Sequence, residues 1–542
     1  MEVLSSAASE KWSIEPGGIM GEHQGGGGGQ TRREFISNSV AGAAAIALPL
    51  WLSGCAGPSA SGIGAAPSNP TLAATRYFDE GFGLSQEALR KILAEALSSG
   101  GAWADVYAQH RISSTVGFED NLVNEASRSV DLGVGIRVVR GDQTGYAFTE
   151  DLSLPSLLAA ARTAASIASG GAGKAPATFT QRTLPAYYDT AYDWQRVGVD
   201  QIVPVLTRLN AEARADALVE KVSVTLSTEQ NRILIVDSEG RASFDSQPLT
   251  RLRMSVTMNK DGERQSNSYN ISARVGLEYY DEARIKSFVK ENLDRTRILF
   301  EATQPQAGEM PVVLGAGSSG ILLHEAIGHG MEADFNRKGI SIFSDKIGKK
   351  VASEHVTIVD SGVDPRFQGS INVDDEGNLP QVTELVRDGV MTSYMHDRIS
   401  AAHYGVEPTG SGRRQSFRHA PMPRMRNTYM KPGPHTRDAI IASVKRGIFA
   451  QTFTNGQVKI GEGDYTFFVK NGFLIEDGRL TAPIKNVNII GNGPESLSRI
   501  TMVADDFAMD EVGWNCGKDG QSVPVSLGLP TVLVSSITVG GR

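Results

Sequence analysis

The sequence has 542 residues, of which 40% are hydrophobic and 21% are charged, an ordinary balance for a soluble globular protein of two or three domains. Its 53 lysines and arginines are outnumbered by 61 aspartates and glutamates, which gives a formal net charge of −8. This acidic balance argues against a nucleic-acid-binding function.

The first 54 residues predict an export signal. Arg32 and Arg33 precede a moderately apolar run over residues 40–52, as in a twin-arginine signal, and Leu52-Ser53-Gly54-Cys55 resembles a bacterial lipobox. The run is too short to span a bilayer comfortably, so a membrane-anchor helix is the less favoured alternative. We expect lipidation of Cys55 and export by the twin-arginine route, which would leave a membrane-anchored lipoprotein facing the periplasm or the cell exterior.

The next two segments predict a tether and an N-terminal domain. Residues 55–79 begin with the lipid-bearing cysteine, and their uncharged part over residues 56–72 is rich in small residues and proline, which is typical of a flexible tether. Residues 80–176 predict an α/β domain. It should contain a helix over 84–97 with Ser85 as its N-cap, four short strands within 103–149 and an alanine-rich helix over 153–169.

Residues 177–303 predict a middle α/β domain. A helix is expected over 200–216 and another over 285–300. Between them lie alternating runs of an antiparallel sheet, with hairpin turns at Glu239-Gly240 and Asp261-Gly262. No catalytic spacing occurs in this unit or in the one before it.

Residues 304–542 predict a C-terminal domain that is mainly antiparallel β. Hairpin turns are expected at Asp388-Gly389, Asn471-Gly472 and Asp477-Gly478, with a helix near 438–446. The predicted fold class is α+β, with an N-terminal α/β region followed by this β domain. One further helix of the domain carries the chemistry described next.

That helix contains the pattern H-E-x-x-x-H, formed by His324, Glu325 and His329. Imidazole is the commonest ligand of zinc, and a glutamate beside a ligand can take the proton of metal-bound water. Positions five apart on an α-helix differ in direction by about 140°. The helix should therefore widen into a π-type turn or end here, which Gly328 would permit. The alternative is a helix with two solvated histidines.

The two cysteines of the chain predict no intramolecular disulfide, because the lipobox assigns Cys55 to a lipid. A lone thiol in an exported protein is either a small buried residue or a metal ligand. Cys516 has glycine-rich, polar neighbours, which favours the ligand.

Two further polar clusters are candidates for binding. Asp374-Asp375-Glu376 lacks the spaced pattern of a calcium loop, so we interpret it as a solvated turn rather than a cation site. An arginine-rich stretch over 413–426 could hold a substrate carboxylate or backbone, or could form an interface. From this stretch we take Arg414 and His419, together with His396, as candidate substrate-binding residues.

Several segments resemble the TldD side of the TldD/PmbA family of metallopeptidases. The resemblance covers about residues 80–542 and is carried by residues 324–337, 372–377, 396–398, 421–425, 490–494 and 516–521. It implies a zinc site in which His324, His329 and Cys516 are ligands and Glu325 is the base. In that family a TldD-like subunit carries the motif and pairs with a PmbA-like (TldE) subunit that lacks it, around a cavity that admits unfolded peptides.

The expected function is that of a zinc-dependent metallopeptidase that hydrolyses unfolded peptides with a Glu325-activated, zinc-bound water. The protein would act as a homodimer or as a heterodimer with a PmbA/TldE-like subunit. Two alternatives are a non-catalytic peptide-binding or scaffold subunit, and a protease dedicated to the maturation of one precursor. The export signal is a departure from the family, whose members are usually cytosolic.

Overall fold

Strands outnumber helices in the computed structural model, which describes residues 70–168, 170–459 and 461–541. Its α-helices are α1 (Pro70–Phe82), α2 (Gln86–Ala96), α3 (Leu154–Ala165), α4 (Val199–Arg214), α5 (Glu282–Arg297), α6 (Ala333–Arg337), α7 (Arg398–Tyr404), α8 (Arg437–Ala442) and α9 (Gly493–Ser498). Short 3-10 turns cover Trp194–Arg196, Leu277–Tyr279 and Ile298–Phe300. A segment of mixed helical turns over residues 318–331, called the site helix below, precedes α6.

The N-terminal half is built on one seven-stranded sheet. Its strands are β1 (Trp103–Glu119), β2 (Leu122–Arg140), β3 (Gln143–Thr149), β4 (Thr180–Gln181), β5 (Val219–Asp237), β6 (Arg241–Lys260) and β7 (Glu263–Ala273). They lie in the order β3-β2-β1-β5-β6-β4, with β7 also paired to β6, and only the short β4–β6 pairing is parallel among these described strands. The β1–β5 pairing joins the two α/β units of the sequence analysis in one sheet, so the boundary near residue 176 stays a prediction.

Two pairs of helices cover this sheet. α2 and α3 pack on its β1–β2 part, where Ile92 and Leu93 are fully buried, and Ser85 caps α2 by accepting from the Ala88 amide at 3.2 Å, as predicted. α4 and α5 pack on the β5–β6 part, where Leu206 and Phe288 are buried. Each helix buries one apolar stripe, which follows from residues at helical spacing.

α1 occupies part of the segment predicted as a tether. Phe78 is fully buried and lies against the rings of Phe82 and Phe244. The tether prediction is wrong for residues 70–79, because Tyr77 and Phe78 supply an apolar face that the uncharged stretch before them lacks. The predicted export signal and Cys55 lie outside the described residues. Within the described ranges, no helix is long and apolar enough to cross a membrane.

The described part of the C-terminal half contains sixteen further strands. They are β8 (Gly308–Leu314), β9 (Ile358–Ser361), β10 (Val382–Arg387), β11 (Val390–Met391), β12 (Gly412–Arg413), β13 (Met422–Pro423), β14 (Asn427–Met430), β15 (Arg446–Lys459), β16 (Asp464–Glu476), β17 (Arg479–Ile484), β18 (Val487–Asn492), β19 (Ile500–Val503), β20 (Ala508–Met509), β21 (Trp514–Lys518), β22 (Gln521–Leu529) and β23 (Val532–Gly541). Most pairings are antiparallel, as predicted, while β8–β15 and β14–β22 are parallel.

Two sheets of this half enclose the site helix. In the first, β8, β15, β16, β18 and β23 pair in a closed ring. The second has the order β11-β10-β9-β14-β22-β20, with β21 paired to β22. The largest hydrophobic core contains Leu322 and Ile327 of the site helix together with side chains from both sheets. The site helix is therefore held on several sides by apolar packing.

The hairpin predictions in this half succeed at two positions and fail at one. Asp388-Gly389 and Asp477-Gly478 are turns with positive φ at both residues, which aspartate and glycine tolerate. Asn471-Gly472 lies inside β16 at an irregularity opposite β15. There Asn471 is 3% exposed and accepts from Thr452 Oγ1 at 3.0 Å, so the Asn-Gly pair serves a bulge and not a turn.

A buried ion pair ties β9 to β14. Arg426 Nε donates to Asp360 Oδ1 at 2.7 Å, and both side chains are fully buried. Asp360 Oδ2 also accepts from the Arg426 amide at 2.8 Å and from Thr428 Oγ1 at 2.9 Å. The carboxylate is thus fully satisfied only while the guanidinium is present.

We expect Arg426→Met to lower the free energy of unfolding by about 3–5 kcal/mol, because it leaves the Asp360 carboxylate buried without its cation. Urea unfolding followed by circular dichroism measures the change. The matched control is Arg264→Met, which breaks the exposed pair with Glu220 and should leave the unfolding midpoint almost unchanged. Equal midpoints for the two variants would contradict the importance of the buried pair.

Candidate metal centre

The site helix changes its winding at the two histidines. Ile321–Leu323 is an α-turn, His324–Gly328 is a π-turn and His329–Met331 is a 3-10 turn. The π-turn takes one more residue than an α-turn, and this brings the imidazoles of His324 and His329 to the same side, with ring centroids 5.0 Å apart. The predicted π-type widening is confirmed.

Gly328 is needed for a reason different from the one expected. Its φ of −57° is ordinary for a helix, so freedom of the backbone is not what this position requires. A Cβ atom built here would lie 2.0 Å from Met425 Sδ. The glycine lets Met425 pack directly against the π-turn.

Three candidate ligands meet in one buried place. One ligand atom from each of His324, His329 and Cys516 lies within 4.8 Å of the other two, and the residues are 4%, 6% and 1% exposed. Cys516 comes from β21, where it pairs with Val523 of β22, and its Sγ lies 3.5 Å from His329 Nε2. The fold thus unites residues that are far apart in the sequence.

Cys516 and His329 each stabilise the charged form of the other. Burial raises the pKa of the Cys516 thiol, but the neighbouring His329 and His324 outweigh it and hold that pKa well below its ordinary range. Burial lowers the pKa of His329, but Cys516 and Glu332 raise it well above its ordinary value. The arrangement therefore favours a thiolate, the form of cysteine that binds metals.

Glu332 orients His329 from the opposite edge of the ring. His329 Nδ1 donates to Glu332 Oε2 at 3.1 Å, which leaves Nε2 facing Cys516. Burial alone would raise the pKa of Glu332, but Lys518 and His329 lower it to about 2. A carboxylate on the second ring nitrogen is the usual partner of a metal-binding histidine.

Lys518 connects the two segments that carry the ligands. Its Nζ lies 3.1 Å from Glu332 Oε2 and donates to Asp334 Oδ1 at 2.7 Å, although Lys518 is only 6% exposed. Arg424 completes the contact by donating to the Cys516 carbonyl at 2.5 Å. These bonds fix the β21–β22 hairpin against the end of the site helix.

The donor set fits a borderline metal such as zinc. Two imidazoles and a thiolate are ligands that zinc accepts, and catalytic zinc sites keep three protein ligands and one open position. His324 Nδ1 is buried and finds no hydrogen-bond partner among the described residues. A buried ring nitrogen without a partner is costly unless another group engages this imidazole.

Glu325 differs from its neighbours in exposure. The residues before and after it are buried, whereas Glu325 is half-buried. It follows His324 directly on the π-turn, so it combines partial exposure with a position next to a candidate ligand in the chain. A base that meets a water molecule or a substrate needs such access to solvent.

The three candidate substrate-binding residues do not form one group with these ligands. His396 is 4% exposed, has its ring beside Tyr404 with centroids 5.4 Å apart, and has its pKa lowered to about 4 by burial. Arg414 is buried between Asp375 and Asp105. His419 is half-buried, and its Nδ1 lies 3.1 Å from Ser416 Oγ. Their role in substrate binding stays a prediction.

Most charged side chains of the two polar clusters of the sequence analysis are buried. Asp374 and Glu376 are 1% and 0% exposed, and Glu376 pairs with Arg137 at 2.7 Å, so the solvated-turn interpretation is wrong. In the arginine-rich stretch, Arg413, Arg414, Arg424 and Arg426 are all buried. Arg414 contacts Tyr146 and Asp105 of the N-terminal sheet as well as Asp375, so it lies where the two halves of the chain meet.

Sequence reasoning missed the residues that support the ligands. Glu332 and Lys518 belong to the segments that resemble the family, but neither was given a role. The spacing contained a signal: Glu332 follows His329 by three residues, and Lys518 follows Cys516 by two, so it shares a face of β21 with the thiol. What the sequence does not contain is the contact between these two segments.

Models of one family match most of the chain. The C-terminal domain described as PmbA/TldA metallopeptidase matches residues 307–541, domain 1 matches 104–168 and the central domain matches 192–300. The first of these includes the site helix and Cys516.

Relatives at the level of sequence are named as metalloproteases. A metalloprotease TldD homologue of Haemophilus influenzae is 40% identical over 447 residues, which is 81% of this chain and 93% of the relative. A zinc metalloprotease TldD homologue of Saccharolobus solfataricus is 32% identical over 296 residues, which is 52% of this chain and 66% of the relative.

The same fold occurs in a crystal structure of TldE from Thermococcus kodakarensis, with a TM-score of 0.66 and 17% identity over 84% of this chain and 100% of that one. This likeness concerns the fold alone. The family models and the 40% identity over most of both chains decide the assignment. The chain belongs to the PmbA/TldD family of metallopeptidases.

Proposed function

We propose that this protein is a zinc-dependent peptidase that hydrolyses unfolded peptides, with Glu325 as its general base. The observation that carries the proposal is the meeting of His324, His329 and Cys516 in a buried site, beside a glutamate that stays half-exposed. A chain that held a metal only for structure would be expected to offer four protein ligands and no adjacent base. This difference favours the enzyme over the scaffold subunit.

The roles of the residues follow from their positions. His324 Nε2 or Nδ1, His329 Nε2 and Cys516 Sγ would hold the ion. When bound, zinc supplies a Lewis acid that polarises a carbonyl and lowers the pKa of a water ligand to about 7. The thiolate donates more negative charge than a third imidazole would, which should blunt this effect.

Glu325 would then move the proton. Its carboxylate accepts a proton from the attacking water and returns it to the amine of the leaving peptide. Glu332 keeps the His329 ring in one orientation throughout, because its own charge is held by Lys518. Since Glu332 is fully buried and already paired, it is a positioning residue and not a second base.

Two further parts of the proposal concern the surroundings of the enzyme. We propose a dimer, either of two copies or with a PmbA/TldE-like subunit. The fold that this chain shares with a TldE protein supports a pairing of this type. We also propose export and lipid anchoring, supported by Arg32-Arg33 and by the lipobox that ends at Cys55.

Replacing Glu325 tests the chemistry. Glu325→Gln keeps the size of the side chain but cannot accept the proton, so peptide cleavage should fall by about 10²–10⁴-fold while the zinc content stays the same. A panel of unrelated unstructured peptides, with products counted by mass spectrometry, measures the change. Glu301→Gln, at an exposed position after the 3-10 turn Ile298–Phe300, is the control. Undiminished turnover in Glu325→Gln would exclude the role of Glu325 as the base. Cleavage of only one peptide of the panel by the wild type would favour a maturation protease.

Replacing Cys516 tests the metal site. Elemental analysis should find about one zinc per chain in the wild type and a small fraction of that in Cys516→Ser, because the thiolate is one of only three protein ligands. His403→Gln, which changes a histidine of α7 outside the ligand set, should keep its zinc. Full occupancy in Cys516→Ser would show that the cysteine is a core residue.

Replacing Cys55 tests the anchor. In a bacterial host with an outer membrane, the full-length wild type should sediment with salt-washed membranes, and Cys55→Ala should appear in the soluble periplasmic fraction. Immunoblotting of the fractions measures the distribution, and Cys516→Ser serves as a control that retains the lipobox. An identical distribution of wild type and Cys55→Ala would rule out lipidation at this residue.

A further inference from the structure

A cavity of about 380 Å³ lies between the N-terminal sheet and the β21–β22 hairpin. Strands β1, β5 and β6 form one wall, while Asn515, Ser522 and Pro524 of the hairpin belong to the other. Successive side chains of a strand point to opposite faces, so Asn515 faces the cavity and Cys516 faces the ligands. The β21–β22 hairpin therefore separates the cavity from the metal centre.

The lining of this cavity carries an excess of positive charge. Five guanidinium groups line it, against three carboxylates, and the residues are Arg111, Arg251, Arg274, Arg413, Arg414, Glu229, Asp374 and Asp375. Burial, together with Glu376, raises the pKa of Asp374 to about 7, which reduces the negative charge further. The lining is thus at least two charges positive near neutral pH.

Two of the five arginines have carboxylate partners outside the cavity. Arg111 pairs with Asp131 at 2.6 Å, and Arg414 lies 3.4 Å from Asp105. These pairs account for the position of both guanidiniums. They need no further anion.

The other three arginines have neutral partners. Arg413 donates to the carbonyls of Met425 at 2.6 Å and Pro524 at 2.8 Å. Arg274 donates to the Gln368 carbonyl at 3.1 Å, and Arg251 donates to Asn515 Oδ1 at 3.1 Å. Among the described residues no carboxylate forms an ion pair with any of the three; the nearer ones, Asp375 and Glu229, act on Arg413 and Arg251 from longer range.

Such an arrangement is unfavourable in the absence of a counter-ion. Arg413 and Arg274 are each 4% exposed, and a buried guanidinium remains charged because its pKa is so high. Burial lowers the pKa of Arg413 to about 10; attraction by Asp375 opposes this effect, while repulsion from Arg274 and Arg424 adds to it. An anion in the cavity would compensate all three cations at once.

We infer that this cavity binds the carboxylate of a short peptide. Arginine recognises carboxylates through paired hydrogen bonds, and the volume falls in the range of small-ligand sites, about 300–1,000 Å³. A bare phosphate would fill only a small part of it. A peptide is the expected source of this carboxylate, and this part of the inference rests on the proposed peptidase function.

The remaining wall is suited to peptide groups. Gln109 Nε2 donates to Asn231 Oδ1 at 2.9 Å, and Asn231 Nδ2 donates to Gln247 Oε1 at 3.0 Å, so a row of side-chain amides crosses β1, β5 and β6. Amide side chains present donors and acceptors side by side, as a peptide backbone does. The arginines would hold the charged end, and this row would face the rest of the chain.

The test measures binding, not cleavage. Zinc-loaded Glu325→Gln protein is titrated calorimetrically with N-acetyl-trialanine bearing a free carboxylate, with the corresponding C-terminal amide, and with inorganic phosphate. We expect the acid to bind at least tenfold more tightly than the amide. Arg251→Gln in the same background should remove most of this preference, because Arg251 is half-buried and glutamine can keep a bond to Asn515.

Arg253→Gln is the matched control, since Arg253 is exposed two residues further along β6 and does not line the cavity. Its affinity for the acid should equal that of the parent protein. Equal affinity for acid and amide would overturn the inference, as would binding of phosphate alone. Acid binding that depends on zinc but not on Arg251 would place the carboxylate at the metal centre and would also overturn it. Failure of the proposed function would appear separately, as absent cleavage by the wild type.

Discussion

The metal centre depends on one buried cation, Lys518. Its ammonium group lies between Glu332 and Asp334 at the end of the site helix, while its backbone belongs to the strand that carries Cys516. Together with Arg424, which donates to the Cys516 carbonyl, this contact holds the thiol near the two imidazoles. The same charge keeps Glu332 ionised, which in turn fixes the ring of His329. Lys518 therefore contributes both to the assembly of the ligands and to the orientation of one of them.

The sequence predicted the local parts of this arrangement well. The five-residue spacing predicted that the helix would widen into a π-type turn or end, and the structure has a π-turn at His324–Gly328. Ser85 was identified as a cap from its neighbours alone. These features depend on residues that are close in the chain. The turn at Asn471-Gly472 was wrong because the Asn471 side chain bonds to Thr452 on another strand. Where a distant residue decides the conformation, a local pattern is insufficient.

Burial of polar residues was the least predictable property. The run around Asp374 was interpreted as a solvated turn, yet it is buried, as is Arg413. Their charges are compensated by partners such as Arg137 and Asp105, which occur more than two hundred residues earlier. A charged residue without its partner is expected at the surface, and a single sequence does not show which partners meet.

Glu325, the proposed base, lies at a break in regular structure. A π-turn interrupts the helical hydrogen bonds, and such turns persist only when the surroundings hold them. Here Met425 packs into the space above Gly328, and the same residue accepts from Arg413 through its carbonyl at 2.6 Å. The winding that aligns the histidines is thus in direct contact with the residue that anchors one arginine of the cavity. Because Met425 contacts both the π-turn and Arg413, a displacement at the metal centre is expected to displace the lining of the cavity, and the reverse.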